Sequence, residues 1–143
     1  MKDENIICWV GTKGLIVRGD EVLVIKEALT QEWELPGGKI KHSETSLSRE
    51  ECLVREIQEE LGENFEVEVE CITDTMFRVF TPSRNPDTDT VFLAVYVCRY
   101  LSGNIQKQEG EVLDAVWVNK GNYTEYVYVN GYKAVLDKYF KDK

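Results

Sequence analysis

Leu35-Pro36-Gly37-Gly38-Lys39, and after it Arg55-Glu56-Ile57-Gln58-Glu59-Glu60-Leu61-Gly62, are the stretches whose reading decides the fold. Pro-Gly-Gly breaks any regular element that precedes it. From Ser48 to Leu61 the pattern is helical: Leu53, Ile57 and Leu61 recur every four residues, Val54 widens the apolar stripe, and Gly62 stands where a helix stops. Ser48 and Glu51 form an S-x-x-E capping box at its start. The acids do not follow the stripe. Glu56, Glu59 and Glu60, at spacings of three and four, project from one face. Like charges so placed cost each other a few tenths of a kcal/mol on a bare helix, and more once desolvated in a cleft. A multivalent cation removes that cost, and oxygen donors with no His or Cys nearby favour Mg²⁺ or Mn²⁺ over zinc or copper. Arg55 lies one turn from both Glu51 and Glu59, where it orients an acid without touching a metal.

Outward from the helix, Ile6–Val17 and Glu21–Lys26 are rich in Val and Ile and flank Arg18-Gly19-Asp20, which predicts a hairpin. Val67–Phe80 and Thr90–Leu101 read as strands around the polar stretch Thr81-Pro82-Ser83-Arg84-Asn85-Pro86-Asp87-Thr88, expected to be an exposed loop because its prolines forbid a ladder. A weaker strand follows at Glu111–Val118, and Tyr132–Lys141 reads as a C-terminal helix. More strands than helices, with one long connection carrying the best helix, points to an α+β or layered α/β/α domain.

A length of 143 residues predicts a single domain over 1–143, burying about two-thirds of its unfolded surface. The 43% hydrophobic and 30% charged composition excludes a disordered chain. The 17 Lys and Arg against 26 Asp and Glu leave a net charge of −9, a field that repels polyanions and argues against nucleic acid as a partner. Cys8, Cys52, Cys71 and Cys98 are widely spaced with only His42 as imidazole, so neither a zinc site nor a disulfide framework is expected. The mixed charges of Met1-Lys2-Asp3-Glu4-Asn5 do not make a signal peptide, and no apolar run is long enough for a membrane span. A cytoplasmic protein with reduced thiols is the expectation.

Taken together, Gly38, Glu44 and Arg55 to Gly62 resemble the signature of the Nudix (MutT-like) hydrolases, G-x5-E-x7-R-E-U-x-E-E-x-G-U with U apolar. The resemblance implies an α/β/α sandwich with a mixed β-sheet and a loop-helix-loop catalytic motif. There are two departures. Ten residues rather than seven separate Glu44 from Arg55, so either Glu44 swings in on a longer loop or its role is unfilled; Thr45-Ser46-Leu47 then reads as a neutral insertion. After Gly62 the chain has Glu63 where the signature has an apolar residue.

Family roles carried onto these positions make Glu56, Glu59 and Glu60 metal ligands for Mg²⁺, with Mn²⁺ an alternative, add the Gly37 carbonyl as a further ligand, and give Arg55 the task of orienting the acids. The implied reaction is hydrolysis of a nucleoside diphosphate linked to another group, most like that of the small nucleoside-triphosphate pyrophosphohydrolases. The general base is one of the helix acids, Glu56 or Glu59, or Glu111 at the start of a segment that resembles the family's E…W stretch, with Glu109 close behind. Lys39, Arg78 and Arg84 are the side chains for phosphate, and Trp33, Phe77, Phe80 and Tyr123 those for stacking on a base. The chain is expected to act on a small nucleotide, as monomer or homodimer. The alternative is a Nudix module that senses a nucleotide without cleaving it; a metal-stabilised scaffold without nucleotide would leave Pro-Gly-Gly-Lys unexplained.

Overall fold

The computed structural model describes residues 4–80 and 85–143. Arg84 and Pro82, and the first three residues of the N-terminal stretch, therefore lie outside the described residues. Seven strands form one mixed sheet: β1 (Trp9–Arg18), β2 (Glu21–Glu27), β3 (Trp33–Glu34), β4 (Gly37–Lys39), β5 (Glu66–Val79), β6 (Thr90–Ser102) and β7 (Val112–Val118). The order runs β3-β2-β1-β6-β5, with β4 against β1 and β7 against β2. β1 and β6 are parallel from Trp9↔Val91 to Val17↔Arg99, and β5 and β6 are antiparallel along nearly their whole length.

Alternation along the strands builds the layers. Leu15, Val22, Val24, Leu93 and Val95 face one way, onto Tyr132, Val135, Leu136 and Phe140 of α2 (Tyr132–Phe140). Ile16, Leu23, Ile25 and Cys98 face the other, onto Leu53, Ile57 and Leu61 of α1 (Arg49–Leu61). The result is the α/β/α sandwich, each fully buried aliphatic contributing about 1.5–3 kcal/mol. α1 begins as its sequence requires: the Ser48 hydroxyl accepts from the Glu51 N–H at 3.0 Å and the Glu51 carboxylate accepts from the Ser48 N–H at 3.2 Å.

Two features differ from the sequence reading. β1 begins at Trp9 rather than Ile6, because Ile6 and Ile7 are 60% and 75% exposed with no layer to cover them. The two glycines of Pro36-Gly37-Gly38, read as a breaker, instead belong to a short strand, Gly37–Lys39, paired with Gly11, Thr12 and Lys13 of β1. The hairpin partners β1 and β2 touch only at Val17↔Val22 and Arg18↔Glu21, which leaves room for β4 to insert at the other end of β1. All four cysteines are free thiols. Among the described residues no helix is long and apolar enough to cross a membrane.

Candidate active site

Insertion of β4 beside β1 carries the Gly37-Gly38 backbone against α1, and the two glycines are what permit the approach. Gly37 has φ 138°, and a side chain there would run into the Thr12 carbonyl. A Cβ on Gly38 would stand 2.5 Å from a Glu56 carboxylate oxygen, so the missing side chain is the space the carboxylate uses. One turn on, Glu60 accepts from the Gly37 N–H at 2.7 Å. Glu56, Glu60, Gly37 and Gly38 thus form one wall of a cleft of about 740 Å³.

Arg55 organises the acids on the outer side. It donates to Glu44 through Nε and, at 2.9 Å, through Nη2; to Glu56 at 2.8 Å; and to Glu59 at 2.7 Å. Glu44 also accepts from the Lys41 N–H at 2.9 Å. The Arg55 hydrogen bonds, followed by that from Lys41, hold the Glu44 carboxyl below the usual carboxylate range. Glu44 therefore does swing in on the longer loop, delivered by a 3-10 turn at His42–Glu44. Thr45-Ser46-Leu47 continues from this turn, with the Leu47 N–H donating to the Glu44 carbonyl at 2.9 Å.

Glu60 is the electrostatic outlier. Burial pushes its carboxyl up to about 8, against the opposing pull of Lys13 and the Gly37 N–H. Lys13 reaches the same place from β1. Its ammonium donates to Glu34 at 2.7 Å and to the Gly37 carbonyl at 3.1 Å, and lies 5.7 Å from the centre of the Tyr132 ring. Burial opposes the charge on Lys13, but Glu34, with Glu60, raises it well above the ordinary lysine value. Burial pushes Glu34 the other way, toward its neutral form. We take the pair as ionised, because Arg78 brings a second cation to Glu34 at 3.3 Å and also meets Glu27 at 3.3 Å. Lys13, Glu34, Arg78 and Glu27 form a line of alternating charge along the cleft floor.

The structure thus gathers Glu56, Glu60, Gly37, Lys39, Arg78 and Glu111 around one cleft. Glu59 stays on the solvent side, 47% exposed and turned to Arg55. Lys39 lies over the Trp9 ring at 3.9 Å, with Phe80 5.1 Å away, and Phe80 also lines the cleft. Trp33 is outside the cleft lining and meets Tyr126 edge-on; Phe77 packs on Phe92 at the sheet surface; Tyr123 stacks on Phe140. Among the described residues no three Asp, Glu, His or Cys side chains converge closely enough to hold an ion as they stand, Glu56 and Glu59 being turned to Arg55 and Glu60 to Gly37. The donor set still fits a hard cation: it is all oxygen, and the buried Glu60 is relieved by positive charge. Sequence reading missed Lys13, Glu34, Glu27 and Tyr132. The one signal was a lysine interrupting the apolar run of β1.

An α/β/α sandwich whose capped helix lays glutamates on a Gly-Gly strand beside a deep cleft is the framework of a phosphoanhydride hydrolase. Residues 10–138 match the model of the NUDIX domain. The chain belongs to the Nudix family of hydrolases, which act on nucleoside diphosphate derivatives. Solved structures share the fold. A MutT NUDIX hydrolase from Burkholderia pseudomallei is 22% identical with TM-score 0.69, the match covering 92% of this chain and 98% of that one. An ADP-ribose pyrophosphatase from Streptococcus suis is 21% identical with TM-score 0.64, covering 91% and 88%. The NUDIX domain of Shewanella oneidensis NrtR, solved with ADP ribose, is 16% identical with TM-score 0.69, covering 96% and 90%. Comparison with curated proteins returned no match.

Proposed function

We propose that this chain is a Mg²⁺-dependent hydrolase that cleaves a phosphoanhydride bond of a nucleoside diphosphate derivative with water, most like the small nucleoside-triphosphate pyrophosphohydrolases. The observation that carries the reading is the approach of the Glu56 and Glu60 carboxylates to the Gly37-Gly38 wall of the cleft. Glu56, Glu59 and Glu60 would hold the divalent ions, with Mn²⁺ able to replace Mg²⁺. When bound, such ions neutralise phosphate oxygens and lower the pKa of water. Arg55, itself steadied by Glu44, keeps Glu56 and Glu59 aligned. Glu111 stands on the cleft lining away from the helix and takes a proton from the attacking water as general base. Lys39 and Lys41 bring positive charge to the same lining and meet the phosphates. Arg78, balanced by Glu27 and Glu34, is better suited to bounding the apolar inner end, where Phe80, Val91 and Leu93 receive a base.

The deciding experiment is a screen of phosphate and nucleotide release over dNTPs, ADP-ribose, diadenosine polyphosphates and nucleotide sugars, with Mg²⁺ and with Mn²⁺. Turnover of one class, abolished by EDTA, supports the reading. Tight binding of a nucleotide without turnover would instead assign a nucleotide-sensing module.

A further inference from the structure

We propose that Lys13 is a built-in cation of this site, taking the side of the Gly37 carbonyl that a divalent ion would otherwise use, so that the inner ligands draw one divalent ion fewer, or hold it more weakly. The inference rests on the metal-dependent reading above and concerns how the site is charged. Gly37 is gripped at both ends of its residue: its N–H donates to Glu60 at 2.7 Å and its carbonyl accepts from the Lys13 ammonium at 3.1 Å. The ammonium is fixed. It is tied to Glu34 at 2.7 Å, its side chain is 6% exposed, and Glu34 is itself held by Arg78. Nor is the carbonyl free to turn away, since Gly37 and Gly38 are held in register against Lys13 and Thr12 of β1. A divalent ion on that carbonyl would therefore sit beside a fixed positive charge in a partly desolvated cleft, where like charges repel strongly. Lys13 touches neither a phosphate nor the reacting atoms in this arrangement. It is a positioning residue, acting through the Gly37 carbonyl.

The test is a titration of the whole chain with Mn²⁺ alone, counting bound ions by the electron paramagnetic resonance of free Mn²⁺. Three proteins are compared: wild type, Lys13→Gln, and the double variant Lys13→Met with Glu34→Gln. The first variant keeps donors for Gly37 and Glu34 but removes the charge. The second removes both members of the pair, so that no buried carboxylate is stranded if the first fails to fold. The expected result is one additional Mn²⁺ per chain, or at least tenfold tighter binding of an existing one, in whichever variant folds. An unchanged count and affinity, even with an altered melting temperature, overturns the inference and leaves the metal-dependent reading standing. If neither wild type nor variants bind Mn²⁺, the metal-dependent reading itself fails and takes the inference with it.

Discussion

Replacing Glu60 by glutamine keeps the acceptor for the Gly37 N–H and deletes only the titratable charge. In the folded chain this carboxyl is pushed up to about 8 from an ordinary 4.5, so between those values the folded state binds a proton that the unfolded state has released. The favourable contribution is complete below pH 4.5 and is lost as pH rises toward 8. By pH 7 the shift amounts to about 3 kcal/mol, a ceiling because the side chain keeps some contact with water. Urea denaturation at several pH values between 4.5 and 8.5, without divalent ions, should show wild type losing stability along this course relative to Glu60→Gln. The variant should equal or exceed wild type at pH 8 while kcat falls by on the order of a hundredfold or more, as expected for loss of a major electrostatic stabiliser. Parallel stability curves for the two proteins would refute the assignment of an uncharged, buried Glu60. A variant that collapses at every pH would show that the carboxylate is needed for folding.

Further outcomes follow from the same geometry. Mg²⁺ at a hundred times its dissociation constant should stabilise the chain by about 2.7 kcal/mol, reversed by EDTA, and a melting curve indifferent to both would exclude a site on the folded state. Glu111→Gln should lower kcat with substrate affinity nearly intact, whereas Glu109→Gln, outside the cleft lining, should do little; steady-state kinetics with the reverse ranking would move the base. Ser48→Ala should remove the cap of α1 at a cost of about 1 kcal/mol, read as a fall in Tm of roughly 2–4 °C.

What the sequence discloses is what lies close in the chain. The apolar stripe of α1, its Ser48 cap and the acids on its opposite face are all set by neighbours within one or two turns, and the helix forms where its spacing predicts. The strand boundaries of β2, β5, β6 and β7 fall within a residue or two of their Val- and Ile-rich runs. Long-range pairings are a different matter. Nothing local says that β1 and β6 run parallel, or that Pro36-Gly37-Gly38 ends in a strand, since a Gly-Gly strand forms only because β1 offers an edge that β2 has left. The charged floor is hidden for the same reason. Lys13 and Glu34 are 21 positions apart, and Glu34 and Arg78 are 44 apart, and each alone reads as a surface charge. The acid at Glu44 could be placed only once the loop was seen to fold back through its 3-10 turn.

The line Lys13, Glu34, Arg78 and Glu27 also constrains how this pocket can diversify. Glu34 is shared between Lys13 and Arg78, and Arg78 between Glu34 and Glu27, so losing either inner member removes a partner from two buried or half-buried charges at once. Single substitutions there are costly, while joint replacement by uncharged side chains of similar volume is not. Descendants of this sequence should accordingly alter the floor of the pocket by concerted exchange of two or more of these positions, while the cleft's rim, where Lys41 and Glu111 are exposed, drifts one residue at a time.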